Sequence, residues 1–190
     1  MKKCIIFVSV VLGSLFLFND VSFASEVDTE FQAVNSAISV DAEDAINFED
    51  LTEEEADYFL SKGFDESDEY FSVVTVQSPL DSTGINARAV NVVKLTGSTK
   101  KVSNTQSRTE YIISASRAPF VRLNAGLNMG GKKTVRSSVN INGAYIYKGG
   151  IYATYTGKRQ YLAYTLNIQY TTTWGPGTTS KKVGGLMIGV

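Results

Sequence analysis

The sequence predicts an all-β fold, an antiparallel β-sandwich or small barrel of about seven to eight strands, preceded by an acidic, weakly helical leader. Three observations carry that expectation. Apolar and polar residues alternate with a period of two through residues 89–190, glycine-rich turn signals recur there at short spacing, and the charge of the chain reverses near residue 82. Residues 25–81 hold seventeen acids against one basic residue, Lys62, a net of −16. Residues 82–190 hold fifteen basic residues against one acid, Glu110, a net of +14. The formal charge of −1 over 190 residues hides these two poles. So sharp a split marks a charged partner, or makes each half the partner of the other. Exposed charges are screened beyond about 8 Å at physiological salt, so docking of the halves requires apolar contact as well.

Taken in order, residues 1–24 read as a signal peptide. Lys2 and Lys3 form its positive start, residues 5–18 its apolar run, and Ser22-Phe23-Ala24 the small-residue cleavage site. Cleavage is expected after Ala24, and the protein is expected to be secreted. The apolar run of fourteen residues falls short of the roughly 20 that a membrane-spanning helix needs. Cys4, the one cysteine, lies at the front of that run, whereas a lipid-modified cysteine belongs at its far end. Loss of the signal leaves no thiol to form a disulfide, attack a substrate or bind a metal.

Residues 25–81 read as an acidic pro-segment with two short helices. Phe31, Val34, Ala37 and Ile38 form a narrow apolar stripe. The second helix has clearer boundaries: Thr52 as N-cap, Glu55 completing a capping box, and Gly63 as the stop. Its acidic first turn complements the helix dipole. Seven aromatic residues (Phe31, Phe48, Tyr58, Phe59, Phe64, Tyr70 and Phe71) favour docking onto the basic domain over mere solubilisation. Residues 70–77 have strand character and are candidates to join an edge of that domain. Residues 82–88 read as a linker, with Arg88 the expected processing point.

The basic all-β domain spans residues 89–190. Val121, Leu123, Ala125, Leu127 and Met129 share one face; Val135, Val139 and Ile141 repeat the pattern; and Leu162, Tyr164, Leu166, Ile168 and Tyr170 give its clearest case. Residues 89–96 and 109–116 are apolar on both faces, as central strands are. Gly97-Ser98, Gly130-Gly131, Asn142-Gly143, Gly149-Gly150, Gly157 and Gly175-Pro176-Gly177 read as turns. Residues 137–147 fit either one long strand with a bulge at Gly143 or two strands. The apolar residues 183–190 are too few to span a membrane as a helix and read as a last strand.

Catalysis is argued against by inventory. The chain has no histidine, and residues 89–190 have no cysteine, no aspartate and one glutamate. This removes Ser-His-Asp, Cys-His, His-metal and paired-carboxylate chemistry from the basic domain, and no metal site or cofactor is expected. Glu110 is expected to pair with a neighbouring lysine or arginine. Four basic pairs, Lys100-Lys101, Lys132-Lys133, Lys158-Arg159 and Lys181-Lys182, lie near glycine or serine turns. Turns sit at the ends of a sandwich, so some pairs should gather into patches there. With Arg122 and Arg136 they are the candidate anionic-ligand residues, and Trp174, in a turn, is the candidate interfacial anchor. Lysines at turns and edges also prevent sheet-to-sheet association, which is the competing explanation of the pairs. Of the seven tyrosines in residues 145–170, most are expected in cross-strand pairs.

These features combine into a secreted, non-enzymatic cationic β-domain that binds anionic cell-envelope material, a cell-wall polymer or a membrane surface. It would act as a bacteriocin-like or toxin-like effector masked by its own acidic pro-segment. Nucleic acid is the disfavoured partner. The alternative is a structural or adhesive surface protein that assembles through β-edges, and a protease inhibitor ranks last.

Overall fold

Alternating residues form strands that pair in two antiparallel sheets. The computed structural model describes residues 39–40, 45–79 and 89–190, all of them within one compact unit, Asn35–Val190. In chain order the elements are β1 (Ser39–Val40), a 3-10 turn (Phe48–Asp50), α1 (Glu53–Ser61), β2 (Phe71–Gln77), β3 (Asn91–Lys101), β4 (Gln106–Ala115), β5 (Phe120–Met129), β6 (Lys133–Ala144), β7 (Ile146–Thr154), β8 (Gln160–Thr172) and β9 (Gly175–Ile188). One sheet has the order β1-β2-β3-β4-β7 and the other β6-β5-β8-β9. The fold is therefore the all-β antiparallel sandwich that the sequence predicts, with the two-residue β1 appended to β2. The signal peptide, the helix expected at Phe31–Ile38 and the linker at 82–88 lie outside the described residues.

The faces follow the pattern with one exception. Leu162, Tyr164, Leu166, Ile168 and Tyr170 of β8 are all buried, as are Leu123, Ala125, Leu127 and Met129 of β5. Val121 is exposed instead, because the β5 register shifts between Phe120 and Arg122. The bulge turns Phe120 into the core and Val121 out of it. Residues 137–147 are two strands in different sheets, β6 ending at Ala144 and β7 starting at Ile146. Residues 183–188 complete β9. Strands β3 and β4 are internal, with one face on the main core and the other under α1, where Ile112 is buried.

Three glycine signals that the sequence suggests as turns lie within strands. Gly97 is in the middle of β3, and an added Cβ there would stand 3.0 Å from Val183 Cγ1. It permits close approach of the two sheets. Gly149 and Gly150 are in the middle of β7. A Cβ on Gly149 would meet the rings of Tyr111 and Tyr147, and one on Gly150 the carboxylate of Glu110. Gly175-Pro176-Gly177 starts β9, the turn itself being Thr173-Trp174. Gly143 is the last residue but one of β6, with a φ of 76°, next to the change of sheet. A tyrosine also lies over Gly177 (Tyr170) and Gly185 (Tyr161). These rings cover bare backbone, so many tyrosines face glycines where tyrosine–tyrosine pairs were expected.

Helix α1 forms as its caps require. The Glu55 N–H donates to Thr52 Oγ1 (3.3 Å) and the Thr52 N–H to Glu55 Oε2 (3.0 Å), the predicted capping box. At the other end the Phe64 N–H reaches the Phe59 carbonyl and the Gly63 N–H that of Leu60 (3.0 and 2.9 Å), with Gly63 at φ 79°. This Schellman closure brings the Phe59 and Phe64 rings to 5.8 Å. Leu51, Phe59, Phe64 and Tyr70 then form a second apolar cluster on Ile112 of β4. Strand β2 continues the acidic segment into the sheet, pairing with β3 from Phe71↔Gly97 to Gln77↔Asn91. Its Val73 belongs to the main core.

Candidate anion-binding surface

Antiparallel connections alternate between the two ends of a sandwich. Residues 102–105, 130–132 and 155–159, which join β3–β4, β5–β6 and β7–β8, therefore fall at one end, together with the end of β9. Backbone hydrogen bonds tie them together: Gly189 N–H to Asn104 O (2.7 Å), Tyr155 N–H to Thr105 O (2.8 Å), Arg159 N–H to Val190 O (3.0 Å) and Gly130 N–H to Ala163 O (2.8 Å). Lys133 Nζ donates to Thr154 O (2.8 Å), fastening β6 to β7. Lys101, Lys132, Lys133, Lys158 and Arg159 are exposed at this end. No carboxylate of the described residues forms an ion pair with any of them. Three of the four predicted basic pairs thus contribute to a single patch.

Lys100 of the first pair is engaged elsewhere. Its ammonium lies 2.9 Å from Asp68, 3.3 Å from Asp65 and 3.0 Å from the Gly63 carbonyl. The hydrogen bond it donates to Asp68 is the main cause that raises its pKa above the ordinary lysine value. It is one of several cations neutralised by the acidic segment. Lys94 Nζ sits 2.9 Å from Glu55 and Lys148 Nζ 2.8 Å from Glu54, so four of the five ion pairs among the described residues join the segment to the β-strands. Burial alone would raise the Glu55 carboxyl, but hydrogen bonds from Lys94, the Thr52 backbone and Thr96 outweigh it and hold its pKa below the ordinary carboxylate value.

The fifth pair is within β4. Arg108 Nε lies 2.6 Å from Glu110 Oε1, which is the partner expected for the lone acid of the basic half. Glu110 is buried, and its other oxygen accepts from the Tyr58 hydroxyl of α1. Desolvation and that bond to Glu110 push the tyrosine pKa well up. The sequence marks Glu54 and Glu55 only as parts of the helix start and Tyr58 only as a docking aromatic; it does not single out Lys94, Arg108 or Lys148. Lys94 and Lys100 lie an even number of residues apart on β3, and the register Lys100↔Arg108 and Ile112↔Lys148 puts the β4 and β7 cations on the same face, the one that α1 covers.

The remaining predicted residues are dispersed. Lys182, Arg122 and Arg136 are exposed on the outer face of the β6-β5-β8-β9 sheet, opposite Thr165, Thr171 and Gly126 respectively. Lys181 is buried, because strand alternation aligns it with Thr179 and Val183 on the inner face of β9. Lys181 is thereby withdrawn from the exposed surface, and an inward charge on an edge strand discourages strand addition. Trp174 does occupy a turn, but the β8–β9 turn is at the end opposite the basic patch. Trp174 and that patch therefore cannot contact one flat surface together. Ala24 and Arg88 lie outside the described residues.

The Trp174 end is closed by a polar network joining the sheets. Asn91 Nδ2 and Thr172 Oγ1 both donate to Gln77 Oε1 (3.0 and 2.9 Å), while Gln77 Nε2 donates to the Gly175 carbonyl (2.9 Å). No helix among the described residues is long and apolar enough to cross a membrane. Comparison with protein-family models, curated proteins and solved structures finds no match to this chain.

Proposed function

We propose that the protein is a secreted, non-enzymatic binder of anionic cell-envelope material, a bacteriocin-like or toxin-like effector whose binding surface is the basic end of the sandwich. One observation carries this: of the fourteen cations in residues 89–190, four are matched by carboxylates, five gather at one end of the sandwich, and the other five (Arg117, Arg122, Arg136, Lys181 and Lys182) are dispersed. Lys94, Lys100, Lys148 and Arg108 are each matched by a carboxylate, whereas Lys101, Lys132, Lys133, Lys158 and Arg159 gather at one end without one among the described residues. A fold that needed its lysines only for solubility would scatter them. Each cation close to an anionic surface contributes about 1 kcal/mol, so five acting together give about 5 kcal/mol, a weak, reversible attachment that salt loosens further. Among the described residues, the acidic segment pairs with cations of the β3-β4-β7 face and with none of the end patch.

The test is equilibrium binding of the secreted chain to isolated anionic cell walls and to anionic vesicles over a range of salt. Binding that weakens steeply with salt supports the proposal. Binding that ignores salt, or that is equally strong to neutral polymer, overturns it.

A further inference from the structure

Charge alone would serve for any soluble polyanion, but the basic end also carries apolar side chains. Val102 is 53% exposed, Tyr161 61% and Met187 50%. Val102 follows Lys101 in the β3–β4 connection. Tyr161 comes two residues after Arg159 and pairs across the sheet with Met187. Single exposed apolar residues are ordinary on protein surfaces. Here three of them share one end with five cations, and the hydrogen bonds among its turns fix their places. Asp65 and Asp68, which flank this end, are already engaged by Lys100.

Resting on the function proposed above, we infer that the partner of this end is the surface of an anionic lipid bilayer, with Val102, Tyr161 and Met187 entering the headgroup region while the cations meet lipid phosphates. Tyrosine suits that depth, having an apolar ring and a polar tip. Lysine and arginine stems lie along apolar surface while their heads stay in water, so the surrounding cations add apolar contact as well as charge. The turns are cross-linked before binding, which lowers the ordering cost of attachment. Trp174, at the far end, stays in water in this orientation.

The test uses the full chain with vesicles of phosphatidylcholine, with and without phosphatidylglycerol, and with soluble polyphosphate. Substituting Val102→Ser, Tyr161→Ser and Met187→Ser is expected to weaken binding to the anionic vesicles roughly tenfold or more and to leave polyphosphate binding unchanged. Because Tyr161 covers Gly185, a Val102→Ser, Met187→Ser chain that keeps the tyrosine is measured beside it, and should show a smaller loss in the same direction. The emission of Trp174, the one tryptophan, should not shift when vesicles are added. Unchanged vesicle affinity in both variants overturns lipid insertion while leaving anion binding intact. A blue-shifted Trp174 overturns the orientation. Failure of the native chain to bind vesicles or polyphosphate overturns this inference together with the function on which it rests.

Discussion

Lys94 Nζ lies 2.9 Å from both carboxylate oxygens of Glu55, joining strand β3 to helix α1 across 39 residues of sequence. Thr96 Oγ1 donates to the same carboxylate at 2.8 Å. Glu55 therefore caps its own helix and fastens that helix to the basic sheet. Glu55→Ala should destabilise the fold by about 2 kcal/mol, since it removes half of the capping box and two hydrogen bonds from β3, those of Lys94 and Thr96. Thr52→Ala should cost about 1 kcal/mol. Urea denaturation of both variants checks the order.

The Glu55 contribution should depend on pH with a definite sign. A carboxyl held below its ordinary value stabilises the fold fully above the unfolded pKa of 4.5, and the contribution is lost as pH falls through the lower, folded value. The stability gap between the native chain and Glu55→Gln should therefore be constant near neutrality and shrink below about pH 4. Melting curves from pH 7 to pH 3 would show it, and a gap that widened in acid would contradict the assignment.

Cutting the chain between β2 and β3 should not by itself release the acidic segment. Phe59, Phe64 and Tyr70 are buried against the sheet, each contributing about 1.5–3 kcal/mol. Exposed ion pairs contribute about 0–1 kcal/mol each and weaken with salt. Apolar contact and the β2 ladder therefore dominate. With a specific protease site placed within residues 80–88, the two pieces are expected to co-elute in high salt and to part only in denaturant. Residues 89–190 expressed without the segment should associate or aggregate, since the edge of β3 and the outer face around Ile112 lose their cover. Release by salt alone would show that charge, not packing, holds the segment.

Two glycine substitutions should separate locked from yielding neighbours. A Cβ on Gly150 would collide with the Glu110 carboxylate, which is buried and held by Tyr58 and Arg108. A Cβ on Gly185 would press on the hydroxyl end of Tyr161, which is exposed and has room to swing. Gly150→Ala should cost about 1–3 kcal/mol, and Gly185→Ala well under half of that. Similar losses at both positions would contradict the buried Glu110 cluster.

The glycines also show where the sequence stops being informative. Period-two alternation defines β5 and β8 nearly residue by residue, and the capping box locates α1, because both depend on neighbours a few positions away. A glycine signal does not distinguish a turn from a place where another strand or ring comes close. Gly97 faces Val183 and Gly150 faces Glu110, contacts made by residues distant in sequence. The cost of that ambiguity falls on the candidate site. Successive turns alternate between the ends of a sandwich, so counting strands correctly would have placed Lys132 and Lys158 together and Trp174 opposite. Extra turns at 97 and 149 spoil the count. Likewise, the sequence shows Lys181 and Lys182 as a pair, but only the position of β9 over β2, with Thr75 Oγ1 3.1 Å from Thr179 Oγ1, shows which of the two faces inward.

The basic end can be tested most directly with two chains of equal net charge. One carries Lys132→Gln, Lys158→Gln and Arg159→Gln at the patch; the other carries Arg122→Gln, Arg136→Gln and Lys182→Gln on the outer sheet face. Affinity for anionic cell walls and phosphatidylglycerol vesicles is measured for both as salt is raised. The patch variant should lose tenfold or more of its affinity, at about 1 kcal/mol per cation, and most of its salt dependence, while the sheet-face variant stays close to the native chain. Equal losses in the two would make binding a matter of overall charge, and a loss confined to the sheet-face variant would move the site to the other side of the molecule.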